Sequence, residues 1–259
     1  MWLTNIKSKM FLIKKAEKIF ENWYQILLIY LNLSFNEYSI INTKKNNLHI
    51  KIRNRSTDLM ALSNVWLNEE YKKEDFEIKD NDVIIDIGGH IGLFNIYASQ
   101  FCKTGKIFSY EPIKENFNLL KENLKINGLD DKLVFNYAVS SINEKIKIFL
   151  STDFAAHSMH IDTGKNIFVQ STTLEKIFED NQIDKCNLLK LDCEGSEFEI
   201  LKKLKEYYFK KIEKIILEYH IYNNNMDIDE IKLMLENYGF FVEVKPTSEI
   251  MGMLYANKK

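Results

Sequence analysis

The segment VIIDIGGHIGLF, residues 83–94, constrains the fold more than any other stretch. An apolar run ends in an acid, a cluster of three glycines follows, and apolar residues then recur at helical spacing. This is the pattern of a buried strand, a tight turn and a helix. Comparable units follow. GKIFSYEP reads as a second strand, cut by Pro112, and KENFNLLKENLKING as a helix closed by Gly128. KLVFNYAVS is a third strand. EKIKIFLS alternates as a half-exposed strand does, and NIFVQSTTLEKIFEDN gives a strand and a helix capped at Thr172 or Thr173. TDFAAHSMHIDTG, between those two, has no period and reads as a loop. The alternation resumes with the strand CNLLKLDCEG, the helix SEFEILKKLKEYY, the strand KIEKIILEYH and the helix DIDEIKLMLENYG. FFVEVKP and MGMLYANK close the chain as an antiparallel hairpin. Strands alternating with helices predict an α/β fold, a doubly wound and mostly parallel sheet with helices on both faces.

Ahead of this alternation, NLHIKIRN sits among short strands within residues 38–57, and TDLMALSNVWLNEEYK, residues 57–72, reads as a helix capped by Thr57 or Asp58. Residues 1–33 are apolar enough to raise the question of a membrane. A spanning helix needs ~20 predominantly apolar residues. Here Lys14, Lys15, Glu17, Lys18, Glu21, Asn22 and Gln25 interrupt every such window, and no small-residue cleavage site suggests a secretory signal. Ile13, Ile19, Phe20, Trp23, Ile26, Leu27 and Tyr30 instead form one broad apolar face. We expect it to pack on its own domain or on the partner of a homodimer, with peripheral membrane contact through residues 1–33 as the alternative.

The 259 residues fit one large α/β domain with an extension, or two small domains. The 35 basic and 37 acidic residues nearly cancel, so no global field draws the chain to nucleic acid, and none is expected as a partner. Cys102, Cys186 and Cys193 are an odd number without paired spacing. Reduced thiols in a cytoplasmic protein are the simplest account.

In doubly wound sheets, ligands bind beyond the carboxyl ends of the strands. Polar residues stand at those ends here: Asp86 and Gly88 on the first strand of the alternation, Glu111 on the second, Asp192 and Glu194 on the fourth, Glu218 and His220 on the fifth, with Asn136 inside the third. Turn residues alone would not need so many acids and amides on one rim. The turn itself, Gly88, Gly89 and Gly92, is one residue shorter than the G-x-G-x-x-G of dinucleotide enzymes, which argues against NAD or FAD. A tight glycine turn still offers backbone N–H groups to an anion such as a carboxylate. Glu111, at the end of the next strand, can accept hydrogen bonds from both hydroxyls of a ribose. A carboxylate-bearing adenosine fits both features, and S-adenosylmethionine is the common cofactor of that description.

IRNRSTDLMALSNVWLNEEY, VIIDIGGHIGLF, SYEPIKENFNLLKENLKING, NYAVS, STTLEKIF, LLKLDCEGSEFEIL and LEYH occur in the order and at about the spacing found in the FkbM family of S-adenosylmethionine-dependent methyltransferases. The resemblance covers roughly residues 50–250, and KLDCEGSE is its most specific element. It implies a class I methyltransferase fold, Rossmann-like. Residues 76–259 would form the cofactor-binding domain behind an N-terminal helical extension with short strands, residues 1–75. It also implies O-methylation of hydroxyls on sugars, glycans or polyketide-like products. By resemblance and by the rim pattern, Asp86, Gly88, Gly89 and Gly92 would shape the pocket for the methionine part, Glu111 would hold the ribose, and Asn136 and Ala138 would lie by the adenine. His90, where the family more often has asparagine, is a candidate cofactor contact or a surface hydrogen-bonding residue.

Methyl transfer from a sulfonium is an in-line displacement, so the acceptor oxygen must be aligned and relieved of its proton by a base or a metal. Lys190, Asp192, Glu194, Glu218 and His220 cluster where that acceptor would sit, and His220 is the best base by intrinsic pKa. A structural ion pair between Lys190 and Asp192 or Glu194 is the plain alternative. A divalent cation on Asp192, Glu218 and His220 stays open, although no recognised metal spacing supports it. His157 and His160 are candidates for substrate contact or ordinary surface residues. The expected acceptor is a small molecule or glycan precursor, a sugar or sugar nucleotide of surface polysaccharide biosynthesis. A lipid or polyketide-like metabolite, or a noncatalytic interaction protein on the same fold, are the alternatives.

Overall fold

The computed structural model describes residues 6–150, 164–223 and 226–258. Helices α1 (Ile6–Ile19) and α2 (Trp23–Tyr30) lead into a hairpin of β1 (Tyr38–Asn42) and β2 (His49–Arg53). A short helix α3 (Asp58–Leu62) follows and runs on as a π-helical turn, Ser63–Leu67. The alternation then unfolds as β3 (Val83–Ile87), α4 (Leu93–Ser99), β4 (Lys106–Tyr110), α5 (Lys114–Ile126), β5 (Val134–Phe135), β6 (Ala138–Val139), β7 (Lys145–Phe149), β8 (Asn166–Thr172), α6 (Leu174–Asp180) and β9 (Leu188–Leu191). It ends with α7 (Glu197–Lys203), α8 (Glu206–Lys211), β10 (Lys214–His220), α9 (Ile228–Asn237), β11 (Phe241–Pro246) and β12 (Met251–Asn257).

Seven strands form the central sheet in the order β11-β12-β10-β9-β3-β4-β5. β10, β9, β3, β4 and β5 are parallel, and β12 and β11 close one edge as the antiparallel hairpin. From β3 the chain winds outward to β4 and β5, then crosses back to β9 and β10 on the other side. β3 and β9 therefore flank the point where the winding reverses, and the crevice beyond their carboxyl ends is where such a sheet binds ligands. β6, β8 and β7 form a separate three-stranded sheet. In β7 buried Ile146 and Ile148 alternate with exposed lysines, as the half-exposed pattern requires.

The period of two in β3 sends its side chains into two cores. Ile85 and Ile87 join Leu189, Leu217 and residues of α6, α7 and α9 on one face. Ile84 joins Leu188 and Ile216 on the other, where the cover is the N-terminal segment through Ala16, Phe20, Ile41, Leu62 and Trp66. Phe20 is fully buried, with its ring 6.0 Å from Trp66. A side chain of that size contributes roughly 1.5–3 kcal/mol by its burial. The broad apolar face expected over residues 13–30 is divided between two helices: the break at Phe20, which bridges to Thr43, turns Ile26 and Ile29 inward but leaves Ile13 partly exposed. No helix among the described residues is long and apolar enough to cross a membrane.

Three local expectations change, the first being the helix expected over SEFEILKKLKEYY, which breaks where Leu204 turns extended, with a ψ of 128°, and separates α7 from α8. The helix expected over 57–72 ends at Leu67, because the Ser63 hydroxyl donates back to the Leu59 carbonyl at 2.8 Å, the ladder widens into the π turn, and Glu69 takes a left-handed φ of 55°. Asp58 does not cap it. Its buried carboxylate accepts from the Arg53 backbone N–H and guanidinium at 2.8–2.9 Å, and the Ser56 hydroxyl accepts from the Asp58 N–H instead. The third strand breaks between β5 and β6, which belong to different sheets, so Asn136 lies in the break and not in a strand. His157 and His160 lie outside the described residues.

Candidate active site

A cleft of about 590 Å³ opens beyond β3 and β9, within the ~300–1,000 Å³ of small-molecule sites. On its β3–β4 side, Asp86 is fully buried. Its Oδ1 lies 3.0 Å from Lys190 Nζ, and its Oδ2 accepts the Ser109 hydroxyl at 2.8 Å. Lys190, 3% exposed, also donates to the Gly88 carbonyl at 2.7 Å and lies 3.7 Å from Asp192. Burial pulls the lysine pKa down, but Asp86 and Asp192 outweigh it and hold the ammonium charged. The ion pair expected with Asp192 or Glu194 is thus made mainly with Asp86, one strand over in the sheet.

Gly88 has a φ of 82°, and a Cβ there would fall 1.7 Å from the Asp192 carbonyl oxygen. Only glycine lets this turn lie against the end of β9. The turn's N–H groups are directed inward. Those of Gly88 and Gly89 both reach the Tyr110 carbonyl at 3.0 Å, that of His90 reaches Glu111 Oε2 at 2.9 Å, and that of Gly92 reaches the Gly89 carbonyl at 2.8 Å. At these four positions the expectation of free donors for an anion is corrected: the glycines permit close packing, and their donors serve the strand ends. Asp86 and Gly92 do not line the cleft, whereas Gly88, Gly89 and His90 do.

Glu111, 5% exposed, accepts the Ile113 N–H on Oε1 at 2.8 Å and the His90 N–H on Oε2 at 2.9 Å. Burial raises its pKa to about 7 against those bonds. Each carboxylate oxygen has two lone pairs, so acceptor capacity remains toward the cleft that it lines. Asn136 does not face the cleft; its amide donates to the Glu111 and Pro112 carbonyls at 2.9 and 2.8 Å and fixes the chain after β4. Ala138 does line it. His90 has a left-handed φ of 47°, and its Nε2 stands 3.4 Å from both Arg53 Nη2 and Asp58 Oδ1. Burial lowers its pKa to about 4, against the pull of Asp58, so the ring is neutral.

Across the cleft, β9 has ended before Asp192, and Glu194 adopts φ 55° in the turn that follows. Residues 190, 192 and 194 are therefore not one strand face. Glu197, fully buried, accepts the Cys193 and Gly195 N–H groups at 2.8 Å each and stands 3.6 Å from His220 Nδ1. Glu194 lies 3.7 Å from His220 Nε2 and accepts the Tyr222 hydroxyl at 2.6 Å. Burial pushes the His220 pKa down, but Glu197, Glu194 and Asp192 overcome it and lift it to about 10. At neutral pH His220 is a cation, which disfavours it as a base. Burial raises Glu194 to about 7, with His220 opposing, and raises Glu218 well above the carboxylate range, with Asp192 adding to the effect.

The structure brings Gly88, Gly89, His90, Glu111, Ala138, Lys190, Asp192, Glu194 and His220 to one cleft. It also adds residues the sequence reading missed. Glu70 and Tyr71 arrive from the N-terminal segment, and Met251 and Met253 from the terminal hairpin. Glu197 is the last acid of KLDCEGSE, and its spacing from Cys193 and Gly195 is the sequence signal for the turn it holds. Among the described residues, no group of three or more His, Cys, Asp or Glu side chains is arranged to hold a metal ion.

The comparisons with known proteins identify a family and a fold. The family model for the methyltransferase FkbM domain matches residues 86–242, from the acid of β3 into β11. Methyltransferase 1 of Beauveria bassiana is 22% identical over 206 residues, 69% of this chain and 82% of that protein. The hexuronic acid methyltransferase AglP of Haloferax volcanii is 26% identical over 157 residues, 60% of this chain and 63% of AglP's length. In fold, the crystal structure of methyltransferase FkbM from Methylobacillus flagellatus KT superposes with a TM-score of 0.50 at 14% identity, covering 96% of this chain and 59% of that one. With more than half of its length matched by the family model, and with the reversing sheet and its cleft in place, the chain belongs to the FkbM family of S-adenosylmethionine-dependent methyltransferases.

Proposed function

We propose that this enzyme O-methylates a hydroxyl of a sugar or sugar nucleotide, a precursor in surface polysaccharide biosynthesis, and acts in the cytoplasm, where three free thiols suit a reducing compartment. The observation that carries the reading is the place of Asp192. It lies at the reversal of the sheet, between the glycine turn and the acid-rich wall, lining the cleft with its carboxylate 28% exposed. The name of AglP, a hexuronic acid methyltransferase, supports a sugar acceptor.

The residues present fit the cofactor. The cleft has the volume, Glu111 offers a buried carboxylate at the end of β4, and the turn at Gly88 is drawn against β9, so the floor is shaped by backbone. When bound, S-adenosylmethionine supplies an electrophilic methyl group on a sulfonium. In this reading Glu111 accepts from the ribose hydroxyls, Gly88, Gly89 and His90 border the methionine part, and Ala138 borders the adenine. Asp86 and Gly92 act from beneath by fixing the turn, and Asn136 by fixing the Glu111 carbonyl. Asp192 accepts the proton of the acceptor hydroxyl, and Lys190 steadies both Asp86 and Asp192. His220 stays charged between Glu194 and Glu197 and orients the turn after β9. Residues 1–75 serve as an extension that supplies one wall, and residues 76–259 as the cofactor domain.

A lipid or polyketide-like acceptor is the second reading, favoured by the exposed Phe11, Leu31 and Phe35 on the N-terminal segment. The test is product analysis by mass spectrometry and NMR with S-adenosylmethionine and candidate acceptors. The expected product is a methyl ether on a sugar; a methyl group on nitrogen or carbon, or an ether only on a lipid, overturns the first reading. Loss of a general base costs ~100- to 10,000-fold in rate. Asp192→Asn is therefore expected to lose turnover on that scale and to keep its affinity for S-adenosylmethionine; near-normal turnover removes Asp192 from the reaction.

A further inference from the structure

Beyond the cofactor side, the cleft has a wall whose polar side chains make no hydrogen bond among the described residues. Tyr71 is only 6% exposed and packs its ring 4.9 Å from Phe94, yet its hydroxyl, in a residue that lines the cleft, makes no hydrogen bond among the described residues. Glu70 and Glu218 also line the cleft, and neither carboxylate makes a hydrogen bond there. Glu218 lies 4.0 Å from His220 Nε2, and its side chain is 17% exposed. Asp192 adds to the negative field at both glutamates. The cations that line the cleft among the described residues, Lys190 and His220, already face Asp86 and the Glu194–Glu197 pair. Burial and Asp192 hold both glutamates toward the neutral form in the free protein; an ammonium entering here would favour their ionised form and pair with it, whereas an acceptor carboxylate would meet Asp192 and no unengaged cation.

We propose that Glu70, Tyr71 and Glu218 form the acceptor-recognition wall, and that it selects a hydroxyl acceptor also carrying a protonated amine, such as an amino sugar, over a uronic acid. This rests on the sugar O-methylation reading and narrows it. The preference is opposite in charge to the hexuronic acid in AglP's name. The physical reason is that an ammonium stabilises the ionised form of a buried carboxyl and makes charge-assisted hydrogen bonds about twice as strong as neutral ones, while a carboxylate placed beside Asp192 is repelled. The Tyr71 hydroxyl adds a donor and acceptor for a neighbouring hydroxyl of the ligand.

The experiment uses the full chain saturated with S-adenosylhomocysteine, into which the methyl glycosides of glucosamine, glucose and glucuronic acid are titrated by calorimetry at near-neutral pH. The glucosaminide is expected to bind about tenfold more tightly than the neutral glucoside, and the glucuronide more weakly than either. Glu70→Gln and Glu218→Gln should each reduce the amine preference, with affinity for S-adenosylhomocysteine kept within about threefold as the check on folding. Tyr71→Phe should weaken the three sugars alike. Binding of the glucoside without amine preference, a glucuronide that binds as tightly as the glucoside, or a preference that survives the Glu70→Gln/Glu218→Gln double variant overturns the proposal and leaves sugar methylation standing. No binding of any glycoside by a protein that still binds S-adenosylhomocysteine overturns both.

Discussion

The two walls of the cleft use the same kinds of side chain and differ in how those side chains are satisfied. On the β3–β4 wall, Asp86 has Lys190 and Ser109, Glu111 has two backbone N–H groups, and the described donors of the glycine turn end on carbonyl or carboxylate oxygens. On the facing wall, the side chains of Glu70, Tyr71 and Glu218 make no hydrogen bond among the described residues. A buried polar network that is complete within the protein holds one geometry, while buried groups left unmet carry a desolvation cost that a ligand can relieve. The contrast suits a site with one invariant ligand on the first wall and a selected one on the second.

The sharpest way to break this contrast is to remove the cation from the satisfied wall. Taking one partner from a buried ion pair destabilises by about 3–5 kcal/mol, because the other charge stays buried without compensation. Lys190→Met should show that loss in urea unfolding followed by tryptophan fluorescence. Asp86→Asn added to it should recover a good part, since the orphaned charge is then gone. A single variant that loses under ~1 kcal/mol would mean that water reaches Asp86 and that the wall is not closed.

Glu111 tests the same wall at lower stakes. Losing a charge-assisted hydrogen bond costs ~1–3 kcal/mol, so Glu111→Ala should weaken S-adenosylmethionine by that amount in calorimetry. Unchanged affinity would take the ribose role away from Glu111 and leave it as the acceptor that fixes the His90 and Ile113 N–H groups.

The satisfied wall was also the legible one. Asp86, Gly88 and Glu111 sit where apolar runs end, and a parallel sheet brings those ends together, so local periodicity and one topological rule were enough to place them. Asn136 was misplaced because KLVFNYAVS has the composition of one strand, yet the chain bends at Asn136 when its amide takes the Glu111 and Pro112 carbonyls. Glu70 and Tyr71 lay inside what read as a helix. They reach the cleft because the π turn and the left-handed Glu69 redirect the chain, and no residue pattern near them signals that. The charge of His220 was not legible either. Its intrinsic pKa suggested a base, but Glu197 and Glu194 come to it from the turn after a different strand, and tertiary contact reverses the expectation.

The unsatisfied wall should make stability depend on pH. Glu70 is raised by burial from 4.5 to about 7, so the folded state holds its proton where the unfolded chain has released it. Its contribution is greatest below pH 4.5 and is lost as pH rises toward 7. His220 is raised from 6.5 to about 10, so its contribution is complete below 6.5 and is lost as pH rises through 10. Both push the same way, as do Glu111 and Glu194, each also raised to about 7, whereas His90, lowered from 6.5 to about 4, opposes them below pH 6.5. The unfolding temperature should therefore fall from about pH 6.5 to about pH 9 at constant ionic strength. Glu70→Gln should flatten the acidic part of that decline and leave the alkaline part. A profile that rises over this range would show that these buried carboxyls, Glu70 among them, are ionised and paired in the folded protein, which would dissolve the difference between the walls.

The smallest effect is expected at His90, where the two walls meet the N-terminal segment. Its ring lies 3.4 Å from Asp58, close enough to suggest an ion pair, but that carboxylate is already engaged by the Arg53 guanidinium at 2.8 and 2.9 Å. Burial lowers the imidazole pKa to about 4, so the contact is one between a neutral ring and a completed pair. The backbone N–H that matters, the one donated to Glu111, survives any substitution except proline. Asparagine also adopts the left-handed conformation, with φ of 47°, more readily than most side chains. His90→Asn should therefore change stability by less than about 1 kcal/mol in either direction, with S-adenosylmethionine affinity nearly unchanged. A loss above ~2 kcal/mol that grew as pH fell toward 5 would show a charged imidazolium paired with Asp58. The satisfied wall would then extend through His90 into the N-terminal segment, instead of ending at the Arg53–Asp58 pair.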